Sequence, residues 1–370
     1  MKKIISLFSL LLVVFALTAC GNKNNIDNNG NGTTDKVTSS GSYELALVTD
    51  VGNIDDRSFN QGTWEGLKKY AEENGISYKY YQPVEKSTEA IMKTMDLAVE
   101  GGAKLIACPG YFFEEAVYHQ QSKYPNVKFI LIDGQPHNAD NTDQTIEDNV
   151  YAVYYAEEQA GFLAGYAAVK EGYTKLGFMG GIATPAVVNF GYGFVDGAEY
   201  AAKELGIDGV DVKYHYTGGF AATPEAQSTA ASWYNSGTEV IFACGGAVGN
   251  SVMAAAETVG AKVIGVDVDQ SAESETVITS AMKQLSVSVY DGIKSYYEDA
   301  FPGGKVVTLG AADDAIGLPL ETSKFTKFTQ ADYDAIFDKL AKGEIQPKSQ
   351  KDGDDVTKLP LERVNVEFVN

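Results

Sequence analysis

The chain has 370 residues, of which 21% are charged, and a formal net charge of −21. A body of this length exceeds one ordinary hydrophobic core and predicts two domains, and its acidity disfavours nucleic acid and anionic lipid as partners. The three histidines, His119, His137 and His215, are scattered, which argues against a histidine-based metal site, and we expect no metal and no cofactor.

The N-terminus has the pattern of a secretory signal, because Lys2 and Lys3 precede the apolar run IISLFSLLLVVFAL. The run is short for a membrane-spanning helix, which needs about 20 apolar residues, although an uncleaved anchor is the alternative. The next residues, Leu17-Thr18-Ala19-Cys20, resemble the bacterial lipoprotein box. That resemblance implies a signal peptide over 1–19, cleavage before Cys20 and lipidation of Cys20. The protein would then be anchored to the extracytoplasmic face of a bacterial cell membrane without spanning it.

Residues 21–41, GNKNNIDNNGNGTTDKVTSSG, contain almost no apolar side chain. Such a segment cannot bury enough surface to offset its conformational entropy. We therefore interpret residues 20–41 as a lipidated cysteine followed by a flexible tether.

The body alternates short apolar runs with amphipathic helical patterns that mostly end at glycine. The candidate strands are 43–50, 78–82, 104–109, 127–133, 144–149, 175–181, 210–218, 239–246 and 262–268, with a terminal strand in LERVNVEFVN. This alternation predicts an α/β fold with doubly wound parallel sheets. Two of the strands end in Ala-Cys before glycine, which indicates the same element in two similar domains. We expect Cys108 and Cys244 to be buried and not to form a disulfide.

Open α/β sheets bind ligands at the carboxyl ends of their strands. In the first domain those ends are Thr49-Asp50, 109–112 and Asp133-Gly134. In the second they are 183–185, 218–220, Gly245-Gly246 and Asp267. Two sheets that face each other at these ends would enclose one cleft.

Several motifs in order resemble the basic membrane protein family: the lipoprotein box, LVTDVGNIDDRSFNQGTWEG, FGYGFVDGAEYA, IGVDVDQ and ITSAMK. This family comprises bacterial lipoproteins that are substrate-binding components of ABC transporters and are similar to purine nucleoside receptors. The resemblance implies a type I periplasmic-binding-protein fold, with two lobes that close over one ligand. It also implies a binding protein rather than an enzyme, a nucleoside ligand and a permease partner, and we expect a monomer.

In that fold the chain crosses between the lobes, and we place the crossings near residues 150, 268 and 310. The predicted first lobe comprises 42–150 and about 270–310. The predicted second lobe comprises 151–267 and about 311–370.

Three residues after the first strand are candidates for one wall of the pocket. Asp50 would accept hydrogen bonds from ligand hydroxyl or N–H groups, or it is a turn or helix-capping aspartate. Phe59 would stack on a nucleobase, or it packs in the core. Asn60 can donate and accept towards a purine edge, or it caps the helix.

Acids at two other strand ends suit a sugar. Asp133 and Asp267 could each accept two vicinal ribose hydroxyls, and the resemblance assigns Asp267 to that role. It also makes Lys283 a donor to a ribose oxygen, with an ion pair to an acid or an ordinary solvated lysine as the alternatives.

The second lobe should supply a ring opposite Phe59. Phe190 is favoured, Phe220 is its rival, and Phe194 is expected in the core. Gly246 and its neighbour Gly245 would allow the backbone to approach the ligand closely.

Other functions remain open at this point. An enzyme is disfavoured because the chain has no G-x-S-x-G motif and no phosphate-binding loop. A sugar or autoinducer-type receptor on the same fold and a surface adhesin are the two binding alternatives.

Overall fold

The structure is a computed structural model that describes residues 42–369, all within one compact unit of the chain. The predicted signal peptide, Cys20 and the tether lie outside the described residues. Within 42–369, no helix combines the length and the apolarity that a membrane crossing requires.

Two parallel sheets organise the described residues. The first has the strand order β11-β5-β4-β3-β1-β2. Its strands are β1 (Leu45–Val48), β2 (Tyr78–Tyr81), β3 (Leu105–Pro109), β4 (Lys128–Ile132), β5 (Val150–Tyr155) and β11 (Lys305–Leu309). All five strand pairs in this sheet are parallel.

The second sheet has the order β12-β10-β9-β8-β6-β7-β13. Its strands are β6 (Lys175–Gly180), β7 (Val210–Tyr216), β8 (Val240–Cys244), β9 (Lys262–Asp267), β10 (Val277–Lys283), β12 (Ile316–Gly317) and β13 (Val364–Phe368). The short edge strand β12 pairs antiparallel with β10, and the other pairs are parallel.

Helices connect the parallel strands, as parallel pairing requires. They are α1 (Phe59–Asn74), α2 (Thr88–Glu100), α3 (Glu114–Lys123), α4 (Glu157–Glu171), α5 (Pro185–Leu205), α6 (Pro224–Asn235), α7 (Val248–Val259), α8 (Leu285–Tyr297) and α9 (Gln330–Ala341). Four of them, α1, α4, α5 and α7, end at a glycine in the left-handed conformation, which a side chain would disfavour.

The predicted α/β class with two parallel sheets is confirmed by this topology. The predicted strand over 144–149 is wrong. The strand is β5, immediately afterwards, where the sequence VYAVYY pairs with both β4 and β11. The segment 144–149 carries one aliphatic side chain, Ile146, which packs against the core, and its other side chains are polar, so it forms an irregular connection instead of a strand.

The sheets divide the chain differently from the predicted lobe boundaries. We use "first lobe" for 42–155 and 285–309, and "second lobe" for 157–283 and 316–369. β5 belongs to the first sheet, so the first crossing follows residue 155 instead of 150. β10 continues the second sheet beside β9, so the second crossing follows Lys283 instead of residue 268. The third crossing, between β11 and β12, lies close to the predicted residue 310.

Both faces of each sheet are covered by apolar side chains. The two cysteines of the described part, Cys108 and Cys244, are buried and unpaired at the ends of β3 and β8, which confirms the prediction made for them. The fold is therefore held by its hydrophobic core, with no disulfide among residues 42–369.

Helices α4 and α5 of the second lobe approach each other closely enough to bring their backbones into contact. A Cβ atom added to Gly165 would lie 2.0 Å from the carbonyl oxygen of Phe194. The contact uses four glycines, two from each helix: Gly161, Gly165, Gly193 and Gly197. This close packing fixes the first turn of α4 beside α5, and both helices contribute residues near the cleft.

We expect Gly165→Ala to lower the free energy of unfolding by about 1–3 kcal/mol, because the new methyl group forces the two helices apart. Urea unfolding of the purified protein measures this. The matched control is Gly219→Ala, where an added Cβ meets no atom within 4 Å. Equal losses in the two variants would contradict a steric role for the helix contact.

Candidate ligand-binding site

A cavity lies between the lobes, at the carboxyl ends of strands from both sheets. It contains about 680 Å³ of space free of protein atoms, part of it open to solvent. Its walls include all eight predicted ligand-binding residues: Asp50, Phe59, Asn60, Asp133, Phe190, Gly246, Asp267 and Lys283. The structure thus brings the predicted residues together, and their contact with a ligand stays a prediction.

Asp50 and Asn60 form one hydrogen-bonded unit on the wall of the first lobe. The amide of Asn60 donates from Nδ2 to Oδ1 of Asp50 at 2.7 Å, and its Oδ1 accepts from the backbone N–H of Asp50 at 3.1 Å. Burial raises the pKa of Asp50, while the Asn60 hydrogen bond opposes that rise. Both side chains are therefore held in fixed orientations at the cavity.

Asp56 is a cavity residue that the sequence analysis missed. It provides the cap of α1 that the side chain of Ser58 does not supply. Its carboxylate accepts the backbone N–H groups of Ser58 and Asn60, each at 2.9 Å, and of Gln61 at 3.1 Å. Burial raises its pKa to about 6, against these hydrogen bonds. The signal in the sequence was the acid two residues before Ser58, an arrangement typical of side-chain turns.

Lys283 lies at the centre of a buried charge cluster. Its Nζ is 2.5 Å from Oδ2 of Asp133, 3.5 Å from Oδ1 of Asp267 and 3.9 Å from Oε1 of Glu157. The lysine side chain is only 2% exposed, which excludes the solvated alternative. Burial acts to lower the pKa of Lys283, but the neighbouring carboxylates outweigh it and raise that pKa, so the ammonium stays charged.

The two aspartates beside Lys283 share an unusual backbone conformation. Asp133 follows β4 with φ 54°, and Asp267 ends β9 with φ 67°. Residues other than glycine seldom adopt this left-handed conformation, although aspartate tolerates it better than most. Strained backbone of this kind is often concentrated at functional sites. Here it stands at equivalent positions of the two sheets.

Aromatic rings from both lobes reach the cavity. The Lys283 ammonium lies 4.6 Å from the ring centre of Phe59 and 5.4 Å from that of Phe190. Phe220 also lines the cavity, whereas Phe194 is fully buried in the core. Gly246, with φ 56°, passes close to the backbone of Phe220. The second lobe therefore presents two rings, Phe190 and Phe220, and Phe194 is not one of them.

Several polar contacts join the lobes across the cleft. Ser58 Oγ donates to Oδ2 of Asp267 at 2.5 Å, and Gln270 Nε2 donates to the carbonyl oxygen of Arg57 at 2.9 Å. Arg57 also forms an ion pair with Glu273. Together with the pair between Lys283 and Asp133, these contacts hold the cleft closed. The sequence analysis considered an ion pair for Lys283, but it gave no signal for the other contacts, since each joins residues far apart in the chain.

The charged groups of the cleft are not arranged for a metal. Among residues 42–369, no cluster of three or more histidine, cysteine, aspartate or glutamate side chains could hold a metal ion. The cluster around Lys283 instead pairs acids with an internal cation.

Comparison with known proteins decides the family. Residues 43–351 match the family described as "ABC transporter substrate-binding protein PnrA-like". The chain belongs to this PnrA-like family. It is 31% identical to a CD4+ T-cell-stimulating antigen of Listeria innocua, over 94% of this chain and 99% of that protein. It is 28% identical to the ABC transporter nucleoside-binding protein BmpA of Lactococcus lactis, over 87% of this chain and 92% of that protein.

Solved structures confirm the fold of this PnrA-like protein. An ABC transporter solute-binding protein from Aeropyrum pernix superposes with a TM-score of 0.71 at 24% identity, over 82% of this chain and 92% of that one. One from Conexibacter woesei gives a TM-score of 0.66 at 21% identity, over 83% and 99% of the two chains. At these identities the likeness supports the architecture alone.

Membership in the PnrA-like family confirms the predicted resemblance to basic membrane proteins, one of which, basic membrane protein B of Borreliella burgdorferi, is 31% identical over 86% of this chain and 89% of that protein. The family consists of extracytoplasmic substrate-binding proteins of ABC transporters. That class implies a small-molecule ligand and a permease partner.

We expect Lys283→Met to lower the free energy of unfolding of this PnrA-like protein by about 3–5 kcal/mol, because Asp133 and its neighbours would be left buried without a cation. Urea unfolding at neutral pH measures this. Lys294→Met is the matched control: its ion pair with Glu298 is 3.9 Å long and about half exposed, so its loss should cost under about 1 kcal/mol. If the Lys283→Met protein were as stable as this control, Lys283 would not be needed to stabilise the buried carboxylates.

Proposed function

We propose that this chain is the lipid-anchored, extracytoplasmic receptor of an ABC importer and that it binds a purine nucleoside in the cleft. The observation that carries the proposal is the composition of the cavity. It combines an aromatic ring, a fixed amide–carboxylate pair, and a lysine held between two aspartates. The nucleoside-binding protein of Lactococcus lactis supports the ligand class.

The first lobe would recognise the base. Phe59 offers a ring for stacking, a contact of about 1–3 kcal/mol for a nucleobase. Both Nδ2 hydrogens of Asn60 are already donated, to Asp50 and Asp56. Asp50 and the Oδ1 atom of Asn60 would therefore stand beside the ring as acceptors towards N–H groups of the base edge. The hydrogen bonds between these two residues orient them in advance, which reduces the entropy lost on binding. A ring from the second lobe would complete the stack.

The cluster around Lys283 would recognise the ribose. Asp267 and Asp133 offer carboxylate oxygens to the vicinal hydroxyls, and Lys283 offers an N–H donor. Phe59 and Phe190 both lie near this cluster, and Phe220 lies near Gly246. Phe190 and Phe220 are therefore both candidates for the second ring of the stack.

The charge balance of the cavity favours nucleosides over nucleotides. Of the described residues that line it, four are acids, Asp50, Asp56, Asp133 and Asp267, and one is a cation, Lys283. A phosphate group would face a surplus of carboxylates, and juxtaposed like charges cost several kcal/mol. The cavity thus suits an uncharged ligand with many hydroxyl and N–H groups.

Transport would follow from lobe closure. The contacts across the cleft would form as the lobes close over the ligand, and the closed form would dock to the permease. Lipid on Cys20 would keep a monomeric receptor at the membrane beside that partner. The acidic surface disfavours nucleic acid as a second partner.

Isothermal titration calorimetry tests the ligand. The protein is unfolded and refolded first, so that molecules carried over from the expression host are removed, and then titrated with inosine, guanosine, adenosine, free bases, simple sugars and a nucleoside 5′-monophosphate. We expect a nucleoside to bind at micromolar concentration or below, and the free base and the monophosphate to bind at least about tenfold more weakly. Binding of a simple sugar alone, or of none of these compounds, would overturn the proposal.

Phe59→Leu tests the stacking contact. Leucine keeps an apolar side chain of similar reach but has no ring, so we expect the affinity for nucleosides to fall by about 10- to 100-fold while folding is retained. Calorimetry gives the affinity, and the melting curve shows whether the variant folds. Phe112→Leu, at another position lining the cavity, is the matched control, with a smaller expected loss. Unchanged affinity in Phe59→Leu would remove Phe59 from the base site.

A further inference from the structure

Glu157, which the proposed site does not use, reaches the charge cluster from the first turn of α4. It is 2% exposed, and its Oε1 lies 3.9 Å from Nζ of Lys283. Its Oε2 accepts a hydrogen bond from Nδ2 of Asn189 on α5 at 3.3 Å. Asp133, which ion-pairs with the same lysine, comes from the other lobe.

Two oxygens of this cluster have no donor. Among the described residues, no N–H or O–H group bonds to Oδ1 of Asp133 or to Oε1 of Glu157, although both atoms are buried. Buried polar atoms are almost always hydrogen-bonded, and an exception calls for an explanation. The two carboxyl groups contact the same ammonium, Nζ of Lys283, at 2.5 and 3.9 Å, and a hydrogen bond between them would give both oxygens a partner. Such a bond requires a proton on one of them.

The charge balance points to the same proton. If Asp133, Asp267 and Glu157 were all ionised, the three carboxylates would face the single cation Lys283 in a buried space. Burying excess charge without a partner is costly, and such groups usually become neutral instead. One proton would reduce the surplus and give both orphaned oxygens a partner.

We propose that Glu157 carries this proton and donates it to Asp133, so that Glu157 is a positioning residue that holds Asp133 and Lys283 in place for the ligand and joins the two lobes. This inference takes only the identity of the ligand from the proposed function. The bond would form between α4 of the second lobe and the end of β4 of the first. It would form fully only in the closed cleft, so closure and proton binding are linked.

The assignment of the proton to Glu157 agrees with its surroundings. Burial is the largest influence and raises the pKa of Glu157 well above its usual value; Asp133 raises it further, and Lys283 acts in the opposite direction. Burial raises the pKa of Asp133 too, but Asp133 is closer to the lysine than Glu157 is, and the charge and hydrogen bond of Lys283 oppose that rise. The N-terminus of α4 favours a charged Glu157, but that effect is modest, about 0.3–1 kcal/mol.

Other ionisable groups surround the pair. A second cavity, which Asp133 also lines, has Glu114, Glu157, Glu158, Tyr154 and Lys351 in its walls. Cys244, at the end of β8, also interacts electrostatically with the cluster. Among these groups Glu158 raises the pKa of Glu157 further, by less than burial and Asp133 do.

The sign of the pH dependence follows. A carboxyl group whose pKa is raised in the closed form contributes fully at low pH, and its contribution is lost as the pH rises through that raised value. In the open form Glu157 is separated from Asp133 and better solvated, so its pKa is lower there. Ligand binding, which favours the closed form, should therefore take up protons in the range between the two values. Affinity should fall in that range by at most about tenfold per pH unit.

Infrared spectroscopy tests the proton directly and needs no ligand. At pH 7 we expect the wild-type protein to show the carbonyl stretch of an un-ionised carboxylic acid that Glu157→Gln lacks. Glu158→Gln is the matched control, an adjacent glutamate on the same turn, and should keep that band. Identical spectra of wild-type protein and Glu157→Gln in this region would overturn the proposal.

Calorimetry tests the positioning role. With a nucleoside such as inosine, in buffers of different ionisation enthalpy between pH 5.5 and 9, we expect wild-type protein and Glu158→Gln to take up a fraction of one proton on binding, and Glu157→Gln to take up none. Glu157→Ala should lose at least about tenfold in affinity, and Glu157→Gln, whose amide still donates to Asp133, should recover most of that loss. Proton uptake by Glu157→Gln equal to that of wild-type protein, or equal affinities in the alanine and glutamine variants, would contradict the role. Failure of the wild-type protein to bind any nucleoside would overturn the proposed function and leave the infrared result to decide on the proton.

Discussion

The buried ion pair between Lys283 and Asp133 is the constraint on which the site depends. Lys283 ends β10 in the second sheet, and Asp133 follows β4 in the first, so the pair exists only when the carboxyl ends of the two sheets face each other. A lysine buried in this way costs free energy unless carboxylates surround it, and the surrounding carboxylates are costly without the lysine. Asp133 of the first lobe thus finds its cation in the second lobe, where Lys283 also lies beside Asp267 and Glu157. Closure of the cleft is favoured by this complementarity, and the ligand pocket forms around it.

The rest of the fold holds these strand ends in position. At the glycine contact the backbones of α4 and α5 touch, which fixes the distance between the two helices and places the first turn of α4 beside the cluster. On the opposite wall, Asp56 caps α1 through three backbone N–H groups and so fixes the turn that carries Phe59 and Asn60. Side chains that bind a ligand gain from such support because little entropy remains to be lost. The cavity is therefore shaped by backbone packing at one side and by a capping carboxylate at the other.

The sequence predicted the sheets and the residues of the cavity well, because parallel α/β folds place ligand-binding groups at strand ends, and strand ends can be found from apolar runs. It failed where the apolar run was interrupted by tyrosine or by small polar residues. For this reason β5, with the sequence VYAVYY, was displaced by several residues, and β10, with VITSAMK, was left out of the strands. Glu157 could not be singled out, since two acids in the first turn of a helix are ordinary and stabilise its dipole. Its position beside Lys283 depends on a contact between α4 and the end of β10, which are far apart in the chain, and no local pattern encodes that contact.

In the proposed function the same oxygens would serve closure and recognition, which would couple the two. Asp267 accepts from Ser58 of the other lobe through Oδ2 and faces Lys283 through Oδ1. A carboxylate has about four lone-pair directions, so these contacts leave room for ligand hydroxyls on the same atoms. Hydroxyls bound there would add donors to a cluster that holds an excess of acceptors. A polyhydroxylated, uncharged ligand would thus relieve the electrostatic imbalance that closure creates. The excess of acids over cations in this cleft would therefore make closure depend on the ligand. Without the donors of the ligand, the closed state would bury carboxylates that lack partners, which costs free energy.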